Sequence, residues 1–364
     1  MLEIRMVERE IEHCLKHLAS WVKDEAVDTA LMLGPAQSYL QREPLGIVVV
    51  LGAWNYPLAT MVGPVVSAIA AGNCVLLKPS EMAPYTAVAV KKLFDSYMDL
   101  NSYQCVNGAV NVAIACTAAP ADLIIFTGST EKGRLVAQAA ARNLVPCILE
   151  LGGKCPMVID QSCDLNYAAL KASAFAFTNS GQTCIRSDYV LIHHTLAEGF
   201  LSKLQANIDE VYAKGTKKAT LGKVINKFHK DRCCKLLEDH GGTLIEGNGN
   251  ANLDKNLLPT VILNPSPDSQ LMKEEIFGPI LPVFTYKNIQ EAIDFIHRID
   301  KPLAVYYFGQ NSSSNPNLRR LKEETSSGAF LVNDIAIHFL NADTPFGGVG
   351  GSGYGRCHGK EGFL

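Results

Sequence analysis

Cys184 closes the run Asn179-Ser180-Gly181-Gln182-Thr183, between a stretch with helical spacing and a stretch with strand character, so it is expected in a turn. Turns held by a rigid scaffold are where catalytic groups concentrate, and Gly181 lets the backbone approach a ligand closely. A thiol there is a candidate nucleophile. The plain alternative, for any one of eleven cysteines, is a small buried hydrophobe. Glu150 follows Cys147-Ile148-Leu149 and precedes Gly152 and Gly153. A carboxylate at the C-terminal end of a strand lies where open α/β sheets bind ligands, and a general base there can activate water. Its alternative is a solvated carboxylate at a turn. Asn55, in Trp54-Asn55-Tyr56-Pro57, offers an uncharged amide donor suited to a developing oxyanion, or else an Asx turn before Pro57.

Two further segments read as strand, turn, helix. Gly128-Ser129-Thr130-Glu131-Lys132-Gly133 opens a helix whose N-terminus favours anions. Lys78-Pro79-Ser80-Glu81 offers an ammonium and a carboxylate suited to ribose hydroxyls. Glu274-Glu275-Ile276-Phe277-Gly278-Pro279 sits between two expected strands, where paired acids are ordinarily a solvated face. The nine histidines form no H-E-x-x-H, so no metal site is expected, and no G-x-S-x-G elbow supports a serine hydrolase.

The elements that must position these groups follow from periodicity. Apolar residues at helical spacing predict a helix over 3–29. The uninterrupted run 46–51 (GIVVVL) predicts a strand covered on both faces. Helices are then expected at 58–71, 84–97 and 131–143, with strands at 74–77, 103–106, 122–126 and 147–149. A second round predicts strands at 156–159, 189–192, 260–263, 280–285, 304–308 and 329–332. Its helices are 165–177, 196–213, 289–299 and 317–324, with a surface excursion over 214–257 carrying one helix near 226–240. The tail 345–359 holds seven glycines and reads as loop. Strands alternating with helices predict an α/β fold, a doubly wound parallel-sheet domain followed by a second α/β domain. The expected division is a dinucleotide-binding domain at 1–150, with 30–43 as a candidate oligomerisation arm, a catalytic domain at 151–339 and a Gly-rich segment at 340–364.

Composition narrows the class. The chain has 364 residues, enough for roughly two domains and for a core that needs no disulfide or metal. Lys+Arg total 33 against 36 Asp+Glu, which leaves no electrostatic footprint for nucleic acid or an anionic membrane. The cysteine count is odd and lacks any C-x-x-C, which points to a reducing compartment and a cytoplasmic location. The first residues carry charges throughout and lack a signal-peptide core. Residues 44–77 carry no charge, but Gly46, Gly52, Asn55, Pro57, Gly63, Pro64, Gly72 and Asn73 break them into short pieces, so no transmembrane segment is expected.

Taken together, the segments PLGIVVVLGAWNYP, GNCVLLKPSE, FTGSTEKG, ELGGK, GQTC, EEIFGP and PFGGVGGSG resemble the aldehyde dehydrogenase superfamily, in order and over about residues 5–360. WNYP, the Glu324-Thr325-Ser326-Ser327-Gly328 run and Cys357-His358-Gly359-Lys360 look most like its class 3 and fatty aldehyde branch. The resemblance implies oxidation of a small-molecule aldehyde to a carboxylic acid with NAD or NADP, with NAD favoured because Glu81 would repel a 2′-phosphate. It implies Cys184 as the nucleophile that passes through a thiohemiacetal and a thioester. Asn55 and the Cys184 backbone N–H would hold the oxyanion, and Glu150 would be the base for hydrolysis. Lys78 and Glu81 would hold the adenosine ribose, and Gly128, Ser129 and Gly133 would lie near the pyrophosphate and adenine. Glu275 would bind the nicotinamide ribose, with Phe277 beside the ring.

The chain also departs from the family pattern. Arg186 stands two places after Cys184, where family members usually carry a small residue. It would depress the thiol pKa, contact an acidic substrate or point to solvent. The chain begins inside what is usually a later helix and stops short of the usual dimer-forming tail, which weakens the implied homodimer. Two other readings remain: an inactive scaffold of the same fold, and a non-redox cysteine acyl-transfer enzyme using Cys184 and Glu150. Cofactor binding discriminates them.

Overall fold

The computed structural model describes residues 2–212, 222–246 and 257–364. Its chain divides into two compact units. The first comprises 1–150, 339–347 and 354–364; the second comprises 151–338 and 348–353.

The first unit is built on a six-stranded sheet. The apolar strand Ile47–Leu51 lies at its centre, with Cys74–Lys78 and then Tyr103–Cys105 on one side. Leu123–Gly128 and then Cys147–Leu151 lie on the other, and a two-residue strand ending at Tyr354 closes that edge. The three central strands are parallel, with Leu51 level with both Lys78 and Phe126. The chain therefore leaves the middle of the sheet in one direction, returns, and leaves in the other. The gap between Ile47–Leu51 and Leu123–Gly128 is the point where strand order reverses, and ligands of such sheets bind outside the carboxyl ends at that point. Val48, Val50, Leu77 and Ile125 pack with Met61 and Val65 of helix Ala59–Ala70 to form the core. Covered on both faces, these strands need no polar alternation, which is why they read as continuous apolar runs.

The second unit carries a seven-stranded sheet in the order Thr243–Glu246, Thr260–Leu263, Ile280–Tyr286, Tyr189–His193, Pro156–Ile159, Ala304–Phe308 and Ala329–Val332. The pairing is parallel except at the Thr243–Glu246 edge, which runs antiparallel. Its core joins Val158, Leu191, Phe284, Val305 and Tyr307 to Ile293 and Leu321 of helices Ile289–His297 and Pro316–Glu324.

Several elements differ from expectation. The first helix runs Leu2–Trp21 and stops eight residues early. The chain beyond it pairs Glu25–Val27 antiparallel with Ser38–Leu40, an exposed ribbon inside the expected 30–43 arm and its approach. Val110–Ala118 is a helix that lacks a polar stripe and so shows no 3.6-residue alternation. Within the expected excursion 214–257, Thr243–Glu246 is a strand; residues 213–221 and 247–256 lie outside the described residues. The Gly-rich tail contains a short helix, Gly359–Phe363.

Candidate active site

In the first unit, the predicted residues gather at the carboxyl edge of one sheet. Asn55 lies half-buried in the bend between Ile47–Leu51 and helix Ala59–Ala70. That helix has no cap from its own sequence. Glu3 of the N-terminal helix supplies one, its Oε2 accepting from the backbone N–H groups of Leu58 (2.8 Å) and Ala59 (3.1 Å). Thr60 Oγ1 accepts from Ala53 N at 3.2 Å and pins the other side of the bend.

Lys78 ends its strand buried, and its Nζ donates to Glu81 Oε2 at 2.5 Å. Burial pushes the Glu81 carboxyl up, but the Lys78 ammonium outweighs it and holds the group below the ordinary carboxylate range. Gly128 ends Leu123–Gly128, and Ser129 caps helix Thr130–Ala141 through a weak bond from Lys132 N. A side chain at Gly128 would strike the Phe126 ring. Gly133 is buried in the first turn of the helix.

Glu150 sits in strand Cys147–Leu151 and is only 5% exposed. Burial pushes its carboxyl up to about 8, against smaller lowering effects of the Cys357 hydrogen bond and the Arg356 charge. The Cys357 thiol donates to Oε1 at 3.3 Å, and the buried Oε2 has no hydrogen-bond partner among the described residues. A carboxyl that titrates close to neutrality, with one free oxygen, has the properties required of a general base.

In the second unit, Cys184 lies half-buried in the turn before strand Tyr189–His193. Three consecutive residues ahead of it, Asn179, Ser180 and Gly181, adopt left-handed backbone. Gly181 has no alternative, since a Cβ there would collide with the Gly278 carbonyl. Gln182 staples the turn by donating to Asn179 O (2.9 Å) and Lys223 O (3.2 Å) and accepting from Ile225 N (2.8 Å). Behind Cys184, buried Cys155 donates to Cys184 O at 3.5 Å, and buried Tyr306 donates to Ile185 O.

Arg186 is 2% exposed and does not reach solvent. Its guanidinium donates to Asp188 Oδ1 (2.8 Å), Ala176 O (3.1 Å) and Ile280 O (3.2 Å). Asp188 also takes Lys154 Nζ at 2.5 Å and Ile276 N at 3.1 Å. Burial pushes Asp188 up, but the two cations outweigh it and keep the carboxylate ionised. Asp188 thus ties the Cys184 turn to the segment that carries Glu275 and Phe277.

Glu275 keeps part of its surface in solvent; burial of the rest, followed by the Asp188 charge, pushes it up to about 8. Its carboxyl fills the space a Cβ at Gly152 would need, which explains the glycine in ELGGK. Phe277 is half-buried in left-handed backbone.

Sequence reasoning missed Asp188, Cys155, Tyr306, Cys357 and Glu3 as supports. Asp188 and Cys155 lie close to quoted motifs and Cys357 opens one, a usable signal; nothing in the sequence marks Tyr306 or Glu3.

The aldehyde dehydrogenase family model matches residues 3–364. Aldehyde dehydrogenase family 3 member A2 of Macaca fascicularis is 39% identical over 362 residues, 99% of this chain and 74% of that protein. The rat (Rattus norvegicus) protein named "Aldehyde dehydrogenase, dimeric NADP-preferring" is 38% identical over 366 residues, 99% of this chain and 79% of that one. Among solved structures, a substrate-bound state of Staphylococcus aureus AldH superposes with a TM-score of 0.93 at 37% identity, covering 99% of this chain and 78% of that one. With each motif in sequence order and the fold shared, the chain belongs to the aldehyde dehydrogenase family and is an oxidoreductase of aldehydes.

Proposed function

We propose that the protein oxidises an aldehyde to its carboxylic acid through a covalent intermediate on Cys184, with Glu150 as the base that releases the product. Cys184 Sγ, as thiolate, adds to the aldehyde carbon and forms a thiohemiacetal. The Asn55 amide and the Cys184 backbone N–H stabilise its oxyanion, each such donor being worth roughly 10²–10³ in rate. Loss of hydride from that carbon leaves a thioester. Glu150 takes a proton from water, the water oxygen attacks the thioester carbonyl, and the acid leaves as the C–S bond breaks and the thiolate is restored. The net change is aldehyde, water and oxidised cofactor to acid, reduced cofactor and one proton.

The donor set fits a nicotinamide dinucleotide. The Lys78–Glu81 pair ends one strand, and the N-terminus of helix Thr130–Ala141 follows the strand on the other side of the switch point. Lys78 and Glu81 would hold the adenosine ribose, Gly128, Ser129 and Gly133 the pyrophosphate and adenine, and Glu275 with Phe277 the nicotinamide end. When bound, the cofactor supplies the hydride acceptor. Glu81 favours NAD by repelling a 2′-phosphate, while Lys78 at its side softens that preference; the rat relative's name points to NADP. We assign the dinucleotide role to 1–150 and the nucleophile to 151–339, with dimerisation proposed from the same name and a soluble, cytoplasmic setting. No helix among the described residues is long and apolar enough to cross a membrane.

The observation that carries the reading is Glu150, buried at a strand end and titrating near 8. The test is absorbance of reduced cofactor, with NAD or NADP and a medium-chain aldehyde, before and after iodoacetamide. Aldehyde-dependent reduction that alkylation abolishes is expected. Reduction that survives complete alkylation of Cys184 would remove the thiol from the reaction.

A further inference from the structure

Among the described residues, the thiol of Cys357 is the only group that hydrogen-bonds the Glu150 carboxyl, and the chain around it is built to keep it still. The Cys357 backbone exchanges two 2.9 Å hydrogen bonds with Phe346. The next residue, His358, is paired with Glu10 at 3.0 Å, and Gly359 N donates to Glu10 Oε1 at 2.9 Å. On the other side, Gly355 lies so close to Ile148 that a side chain would overlap it. The thiol therefore reaches strand Cys147–Leu151 from a segment clamped before and after it. It meets one carboxyl oxygen at 3.3 Å and leaves the other, buried, without a partner among the described residues.

We propose that Cys357 is a positioning residue for Glu150: its S–H anchors Oε1 and turns Oε2 toward the water that hydrolyses the acyl-enzyme. The inference rests on Glu150 being the base. A thiol suits the task because its S–H donates to the carboxyl oxygen it meets at 3.3 Å, and a hydroxyl of similar size can take over that donation. It stays a donor throughout, since burial and the Glu150 and Glu10 carboxyls push its ionisation well above the usual thiol range. The charged groups facing this pair are Arg356, which favours the Glu150 carboxylate, and Glu10, which faces Cys357.

The test needs no nicotinamide cofactor. p-Nitrophenyl acetate acetylates Cys184, the thiolate displacing p-nitrophenolate, and water then releases acetate. Intact-mass spectrometry, with peptide mapping to Cys184, follows decay of the adduct from pH 6 to pH 10 in wild type, C357A, C357V, C357S and E150Q. For C357A and C357V, the pH of half-maximal decay should rise by about one unit, the worth of a hydrogen bond to a charged group. The limiting decay rate should fall roughly tenfold, as expected for lost orientation. C357S restores the donor and should return both to within about threefold of wild type, while adduct formation serves as the internal reference. C357V keeps apolar volume, so the donor is tested even where the alanine void loosens the tail. Stalled decay in E150Q with wild-type profiles in C357A and C357V would make Cys357 a bystander. Wild-type decay in E150Q would remove Glu150 as base and the proposal with it.

Discussion

Glu150→Gln tests the electrostatics of the site without any substrate. The carboxyl is 5% exposed and titrates at about 8 in the fold, against 4.5 ordinarily. Between those two values the native state holds a proton that the unfolded chain has lost. Stability therefore falls as pH rises from 4.5 to about 8, and the whole penalty is present above that. At about 1.4 kcal/mol per pH unit, the displacement amounts to about 5 kcal/mol, and relaxation around the charge reduces it to roughly 2–5 kcal/mol. The amide stays neutral at every pH. Both the protonated acid and the amide place a donor where Oε2 finds no partner, so that cost cancels. Glu275 titrates in the same window in both proteins and cancels as well. Urea unfolding and thermal melting at pH 5, 7 and 9 should show two similar proteins at pH 5 and a more stable variant at pH 9, by roughly 3–7 °C. Superposed curves at pH 9 would mean that the Glu150 carboxyl is solvated, and the argument for a raised base would fail.

Cys184→Ala should lower aldehyde oxidation by at least about a thousandfold while leaving dinucleotide binding intact, read by turnover and by quenching of intrinsic fluorescence. Arg186→Ala should cost about 3–5 kcal/mol in urea unfolding, because it leaves Asp188 under-compensated in the interior. The pH profile of Cys184 alkylation should not move, since the guanidinium is engaged by Asp188 and two carbonyls; a rise in that profile would instead make Arg186 the activator of the thiol. Glu3→Ala should lose about 1 kcal/mol and about 1–2 °C of melting temperature by uncapping the helix after Asn55, and an unchanged melting curve would show that water replaces the carboxylate.

The doubly wound architecture was legible because its strands are buried on both faces. Ile47–Leu51, Cys74–Lys78 and Leu123–Gly128 are apolar runs that end in turn residues, and the candidate residues Asn55, Lys78, Glu81, Gly128 and Ser129 lie at or just beyond those ends. Val110–Ala118 escaped because an apolar helix shows no face, and the end of Leu2–Trp21 escaped because no proline or glycine marks it. Cys184, Glu150 and Asn55 were nameable from motif order, each weak alone. What holds them was not. Cys357 lies far along the chain from Glu150, and Glu3 far from the helix it caps, so only folding reveals either pairing. Arg186 read as a group near a nucleophile; its buried carbonyl partners could not be inferred from its neighbours in sequence.

The contact between Gly152 and Glu275 carries a consequence for how such a chain can change. The carboxyl occupies the volume that any larger residue at 152 would claim, so the two positions are not free to vary separately. A larger residue at 152 would push the Glu275 carboxyl aside, so a change at 152 would be felt as a displacement at 275. Substitutions that shorten the acid at 275 open room at 152 first, which sets the order in which an engineered or drifting sequence can pass from one working pair to another.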